Sequence, residues 1–417
     1  MKKTIAVVAF CVLAGLSSAS AQTPGAPTTA PGSAQSIDEV RQDYRIHAGP
    51  FHVNPTVLLK ELGVDTNVFN AAGEQQSDFT FTVTPQADIA VAFARRGLLR
   101  TTVGTDVVYY ATYDSERSLD PSVRLRGEAY ARRLTLFAEG DYLNTRQRPN
   151  YEIDVRSRHV ENNVMAGAGV RLSSKLSFEL AARRGRTDYD ADAVFDGTSL
   201  QQTLNRETSG GIGAVRYRLS PLTSLGVKFD RLEDVFEFSP LRDSRSYRVM
   251  PGVEFKPRAL VSGTAWVGYR SFTPAHPESL PQFSGLVADL GLSYTLLGST
   301  TFGVSYHRDL AYSYEVNYPF FVDNSVGASI RRALGGRFDA IVSADRHNYE
   351  YEQVLTLPQL PIARLDTTWV YGANLGYRMR RDMRLGFGAR YYQRDSTTVN
   401  FVQFDGLRFG ATVNYGF

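Results

Sequence analysis

Apolar and polar residues alternate with a period of two along most of this chain. The pattern is cleanest at its end. Leu407, Phe409, Ala411, Val413, Tyr415 and Phe417 fall on one face, and Gly406, Arg408, Gly410, Thr412, Asn414 and Gly416 on the other. Period two predicts a β-strand whose two faces meet different surroundings. The stretch 78–93 is nearly as regular: Phe79, Phe81, Val83, Ala87, Ile89, Val91 and Phe93 oppose Thr80, Thr82, Thr84, Gln86 and Asp88. Val53, Val57 and Leu59 mark one face of 51–64. The same reading predicts strands near 98–112, 122–133, 134–146, 158–172, 175–190, 203–219, 222–234, 243–257, 259–272, 284–297, 299–313, 321–334, 336–349, 366–379, 382–395 and 403–417.

The connections between these strands alternate in length. Tight turns such as Arg132-Arg133, Ser173-Ser174, Ser220-Pro221, Leu297-Gly298 and Gly335-Gly336 take turns with longer polar stretches at 64–77, 147–156, 190–202, 273–283 and 350–365. Such wiring predicts an all-β fold, a transmembrane antiparallel up-and-down β-barrel of about 18 strands, with 16 as the alternative. A closed barrel satisfies every backbone hydrogen bond without an edge, which lipid requires of a spanning sheet. A propeller or solenoid would show a repeat of sequence, and only the pattern repeats here.

The beginning of the chain suggests a compartment. Lys2 and Lys3 precede an apolar run from Ile5 to Leu16, followed by Ala19-Ser20-Ala21. The run is too short to cross a membrane as a helix, so 1–21 reads as a secretory signal peptide. Cys11, the only cysteine, would leave with it, so no disulfide or thiolate metal site is expected. Residues 22–44, rich in Pro, Thr, Ala and Ser at the start, read as a flexible periplasmic leader, and 45–417 as the barrel. The formal charge of +3 argues against a nucleic-acid partner. The 23 tyrosines and 24 phenylalanines suit girdles at two membrane interfaces.

The aromatic ending, Tyr415 and Phe417, resembles the signal that the barrel-assembly machinery reads on bacterial outer-membrane barrels. The whole of 45–417 also resembles β-barrel porins of the second type. The likeness rests on the alternating first strand with Pro55, the Asp65-Thr66-Asn67-Val68-Phe69 segment, the Pro-rich leader and the terminal phenylalanine. That resemblance implies the bacterial outer membrane, with lipid and lipopolysaccharide as surroundings, and a link to exopolysaccharide.

The inward faces carry the candidate chemistry. By parity they hold Arg100, Arg124, Arg126, Arg171, Arg183, Arg216, Arg218, Arg248, Arg378, Arg384, Arg390 and Arg408. The acids there are Asp88, Asp106, Glu128, Glu139, Asp141, Glu179, Glu254, Asp289 and Asp339. Charges facing lipid would cost about 2–4 kcal/mol each at the midplane, so these face water or one another. Two interiors fit: a wet pore lined by both signs, or a plugged one in which the charges pair. Inward glycines such as Gly167, Gly169, Gly376, Gly386, Gly388 and Gly410 favour space.

Hairpin arithmetic sharpens the picture. A loop centred at Val399 sets Arg390 opposite Arg408 and Gly388 opposite Gly410. A turn centred at Arg381 sets Arg378 opposite Arg384 and Gly376 opposite Gly386, and one centred at Gly335 sets Arg331 opposite Asp339. Like charges so placed repel, and need either acids across the lumen, such as Asp289 or Asp339, or mobile anions. The proline-containing stretches 273–283 and 353–365 are candidates for a loop that constricts the pore.

No cofactor motif is present, and no enzyme activity is expected. The six histidines, His47, His52, His159, His276, His307 and His347, include two with same-strand neighbours of catalytic type: His307 with Ser305 and Asp309, and His347 with Asp345. Residues two apart on a strand lie about 7 Å apart, beyond hydrogen-bond reach, so these do not form a relay. The expectation is an outer-membrane channel for passive diffusion of small hydrophilic solutes, anions included. An exporter or accessory barrel for an exopolysaccharide is the alternative, and an outer-membrane hydrolase the remoter one.

Overall fold

A computed structural model describes residues 44–93, 96–257, 259–356, 363–380, 382–398 and 402–416. The signal peptide, nearly all of the leader and Phe417 lie outside the described residues, as do 357–362 of one constriction candidate.

Eighteen long strands form the wall. They are β1 Phe51–Asp65, β2 Asp78–Phe93, β3 Gly97–Tyr110, β4 Ser118–Ala131, β5 Leu134–Thr145 and β6 His159–Arg171. Next come β7 Leu176–Tyr189, β8 Arg206–Arg218, β9 Thr223–Phe236, β10 Ser244–Phe255, β11 Val261–Pro274 and β12 Phe283–Leu296. The circuit ends with β13 Thr300–Tyr312, β14 Phe320–Ala333, β15 Phe338–Glu352, β16 Leu365–Arg378, β17 Met383–Ser396 and β18 Phe404–Gly416. Each pairs antiparallel with its neighbours in sequence, and β1 pairs with β18, so the sheet closes on itself. All eighteen strands expected from the alternation are present, with ends that differ by a few residues.

The outer face is apolar and the inner face polar, as lipid outside and water inside require. Val103, Val123, Leu136, Val164, Leu180, Val227, Leu286, Val304 and Phe387 stand exposed on the outside of the wall. Aromatics bracket this band. Phe51, Phe93, Tyr217, Tyr294 and Phe338 lie toward the short-turn end, and Phe79, Tyr142, Tyr247, Tyr269 and Tyr371 toward the long-loop end. One turn shows how local geometry sets register. Gly335 and Gly336 both take positive φ (100° and 56°), a conformation that L side chains resist. The hairpin then pairs Ala333 with Asp339 and Arg331 with Ile341, so the expected facing of Arg331 and Asp339 is two residues out.

At the long-loop end the connections pack on one another. Ile153, Tyr189, Ala193, Leu200, Leu204 and Tyr314 form a buried apolar cluster there. Leu200 and Leu204 come from a short helix, Leu200–Leu204, capped by Ser199, whose hydroxyl accepts from the Gln202 N–H at 3.4 Å. A second cluster joins Phe321, Tyr349 and Tyr351 with Tyr151 packed on it.

Candidate functional site

Most lumen-facing charges are paired. Arg126 donates to Glu128 at 2.8 Å and Glu139 at 2.5 Å, and Arg100 lies 3.7 Å from Glu128. Arg124 meets Asp141 at 2.6 Å. Arg216 sits between Glu179 (2.8 Å) and Glu254 (3.2 Å). Arg248 bridges Asp230 (2.6 Å) and Asp309 (2.7 Å), and Arg270 reaches the same Asp309 at 2.6 Å. Arg270 was missed by sequence reasoning, although it shares the parity of Trp266 and Gly268 on β11. Asp106 accepts from Lys60 at 3.2 Å and from Thr84 at 2.5 Å, and Asp88 from Thr102 at 2.7 Å. Asp289 lies opposite Trp266 and His307 in the sheet. Arg183 has the Asn163 amide oxygen at 3.4 Å. Arg171, Arg218 and Arg378 are exposed at the short-turn end, and among the described residues no carboxylate lies within 4.0 Å of them.

The four-arginine wall has the register expected. Arg390 faces Arg408, Gly388 faces Gly410, Arg378 faces Arg384 and Gly376 faces Gly386. Acids hold three of the four. Asp339 takes Arg384 in a two-pronged contact at 3.0 and 2.5 Å, which corrects its assignment to Arg331. Asp65 takes Arg408 at 2.7 Å, and Glu61 lies 3.8 Å from Arg390 and 3.9 Å from Arg408.

Glu61 arrives there through a bulge. The β1 register shifts against β18 between Leu59 and Leu62, and Glu61 has a φ of 54°. Strict alternation from Val57 and Leu59 would send Glu61 into lipid. The extra residue reverses the parity, so Leu62 and Val64 face out beside Ala411 and Phe409 while Glu61 serves the arginine pair. Gly63 makes this seam possible, because a Cβ on it would lie 1.9 Å from the Phe409 carbonyl oxygen.

Some polar side chains of the inner face remain accessible. Arg124 keeps 64% of its side chain accessible although it faces inward. Ser305, flanked across the sheet by Gly291 and Gly327, is exposed as well.

Above this space the 146–158 loop, between β5 and β6, crosses the mouth. The Tyr151 ring sits 4.4 Å from the His347 ring on β15, nine strands round the eighteen-strand wall from β6. Arg148 donates to the Val68 carbonyl at 2.6 Å, and Asn70 to Asp154 at 3.3 Å. Arg394 on β17 donates to the Glu152 carbonyl at 3.0 Å and to the Asp154 carboxylate. Asp366 anchors that arginine at 2.8 Å and Arg364 at 2.9 Å. Glu152 is fully buried, with Ser313 donating to one oxygen at 2.5 Å and, among the described residues, no partner for the other. Burial pushes its carboxyl up to about 7, against the pull of Ser313, Arg364 and Arg394.

The two stretches expected to constrict the pore lie elsewhere, and Pro358 and Pro361 of the second fall outside the described residues. Leu280 and Pro281 of the 275–282 segment pack beside Phe272, Tyr312 and Phe320 near the rim. Of the 353–364 segment, the described part docks through Val354 on the Asn317 carbonyl and through Arg364 on Asp366. The crossing loop was overlooked because Arg146, Arg148, Glu152, Asp154 and Arg156 read as a polar stretch, and the partners of Glu152 and Asp154, Ser313 and Arg394, come from far along the chain.

The histidines were judged by neighbours along one strand, whereas the close contact is across strands. His347 lies opposite Ser325, with Nδ1 2.8 Å from the hydroxyl, and Ser325 also bonds Asp323. The acid therefore holds the serine, not the imidazole. A nucleophile relay has the acid on the far side of the histidine, and among the described residues His347 Nε2 has no hydrogen-bond partner there. Among the described residues no three His, Cys, Asp or Glu gather as a metal site.

A family model described as "Putative beta-barrel porin 2" matches residues 44–417. Among solved structures, a BenF-like porin from Pseudomonas fluorescens Pf-5 is similar, with 11% identity over 88% of this chain and 98% of that one and a TM-score of 0.51. The outer membrane protein opdK from Pseudomonas aeruginosa aligns with 11% identity over 88% of this chain and 98% of that one, at a TM-score of 0.48. The siderophore receptor PirA from Pseudomonas aeruginosa aligns with 9% identity over 89% and 81%, at 0.43. At these identities the likeness is one of fold. No curated protein matches.

Proposed function

We propose a transport function from one premise: the chain belongs to the Putative beta-barrel porin 2 family, and so is a β-barrel of the outer membrane. Our reading is a channel for passive diffusion of small hydrophilic solutes, narrowed by the 146–158 loop. The observation that supports it is the accessible polar lining beneath that loop, Arg124 and Ser305 above all. A barrel braced shut by its own charges would bury such groups, since an accessible guanidinium needs water beside it. Arg100, Arg124, Arg126, Arg171, Asp88, Asp106, Glu128, Asp289 and the arginines at 378, 384, 390 and 408 would line the path. With three of those last four held by acids, this lining should discriminate weakly between cations and anions.

Purified full-length protein in a planar bilayer tests the reading. Discrete conductance steps are expected, with a modest reversal potential in a salt gradient. A protein that inserts and never conducts would overturn it. The second reading, export of an acidic polysaccharide, is favoured by one observation: Arg171, Arg218 and Arg378, at the short-turn mouth, have no carboxylate partner among the described residues.

A further inference from the structure

The ends of the barrel differ in charge. The eight short turns between strands carry ten Lys and Arg against a single acid, Asp382. The nine long loops carry twelve Asp and Glu against seven Lys and Arg. Pairing differs as well. At the loop end Arg146 and Arg156 share Glu116, and Arg364 and Arg394 share Asp366. At the turn end Arg96, Arg132, Arg133, Lys175, Lys256, Arg337 and Arg380 make no ion pair among the described residues. In an outer-membrane barrel the short turns face the periplasm.

Part of this charge points into the mouth. Arg171 on β6 and Arg218 on β8 have inward parity, with Val170 and Tyr217 beside them exposed on the outside. Together with Arg133, Ser173 and Ser174 they line a cavity of about 340 Å³. The guanidinium of Arg133 reaches the Leu172 carbonyl at 3.2 Å, and that of Arg171 the Arg132 carbonyl at 3.0 Å. Backbone oxygens thus orient these two side chains without neutralising them.

We infer that this cavity is an anion-gathering vestibule on the periplasmic side, suited to a compact solute bearing two or more carboxylates. Three like charges around one space repel unless an anion joins them, and each guanidinium presents a fork matched to a carboxylate. The surrounding basic rim raises the local concentration of such a solute before it reaches the cavity. Beyond it the lining alternates in sign, so an anion captured here passes next to paired arginines that hold it less firmly. The inference rests on the channel reading, because a vestibule matters only where a path leads on from it.

Citrate binding to detergent-purified full-length protein, followed by titration calorimetry, separates the two claims because it does not require conduction. Citrate should bind, a neutral polyol should not, and raising the salt should weaken the binding. Arg218→Glu, alone or with Arg171→Glu, should reduce citrate affinity at least tenfold. Arg332→Glu, whose side chain has outward parity at the same rim, should leave it within twofold. A wild-type protein that does not bind citrate would overturn the inference even if it conducts. An equal or greater loss in Arg332→Glu would also overturn it, by showing that the basic rim as a whole, and not the cavity, attracts citrate. Binding by a protein that never conducts would leave an anion site at this mouth but remove the channel, and with it the vestibule role.

Discussion

At the scale of the residue, the buried Glu152 makes the crossing loop sensitive to pH. Its carboxyl is raised from an ordinary 4.5 to about 7, first by burial and then by Glu315, while Ser313, Arg364 and Arg394 pull the other way. The folded loop therefore favours the protonated acid. A group raised on folding contributes stability that is fully present below its unfolded value and is lost as pH rises through the folded one. The loop should thus be tightest below about pH 4.5 and loosen as pH rises through about 7. Amide exchange in 147–157, corrected for intrinsic rate, should quicken across that window, and Glu152→Gln should flatten the dependence. Equal pH dependence in both proteins would mean that another group governs the loop. None of this was legible in sequence. Glu152 stands among charged residues, and nothing local distinguishes an acid that will be buried against Ser313 and Arg394 from distant parts of the chain.

At the scale of the element, period-two alternation revealed all eighteen strands because the environment on each face is uniform along most of them. It failed where a strand changes parity, at Glu61, and where a turn is longer than its central glycines suggest, at Gly335-Gly336. The bulge has a testable cause. Deleting Glu61 restores strict alternation, with Leu62 and Val64 following Leu59 on the outer face, so the barrel should still assemble and show normal heat-dependent gel migration. Arg390 would lose its nearest carboxylate and Arg408 one of two, moving the reversal potential toward anions relative to the intact protein. An unchanged potential would show that Glu61 does not offset those charges. The register itself is tested on β13. Val304 is exposed on the lipid face and Ser305 on the lumen face. Val304→Arg should cost about 2–4 kcal/mol in unfolding titrations of the lipid-embedded barrel. Ser305→Arg should be tolerated, since water and two flanking glycines leave room for it. Equal losses would mean that the two faces have been exchanged.

At the scale of the whole molecule, the barrel is a closed wall with the 146–158 loop laid across its loop end. The 146–158 loop contributes nothing to the closed sheet, whose strand pairs run continuously from β1 through β18 and back to β1. Its contacts lie at the loop end: Val68 and Asn70, Ser313, His347 and Arg394. Replacing 148–156 by a short Gly-Ser linker should therefore leave strand content and gel migration intact while removing the span across the mouth. Such a change uncovers Arg394 and Asp366, which still hold one another at 2.8 Å, so the wall beneath should not collapse. If the loop is the narrowest point of the path, single-channel conductance should rise severalfold and larger neutral solutes should pass in liposome-swelling assays. Ion preference should change little, because the paired charges of the lining stay in place. If conductance is unchanged, the resistance lies deeper, where Arg126 with Glu139 and Arg216 with Glu179 project from the wall, and the loop is a cover rather than the throat.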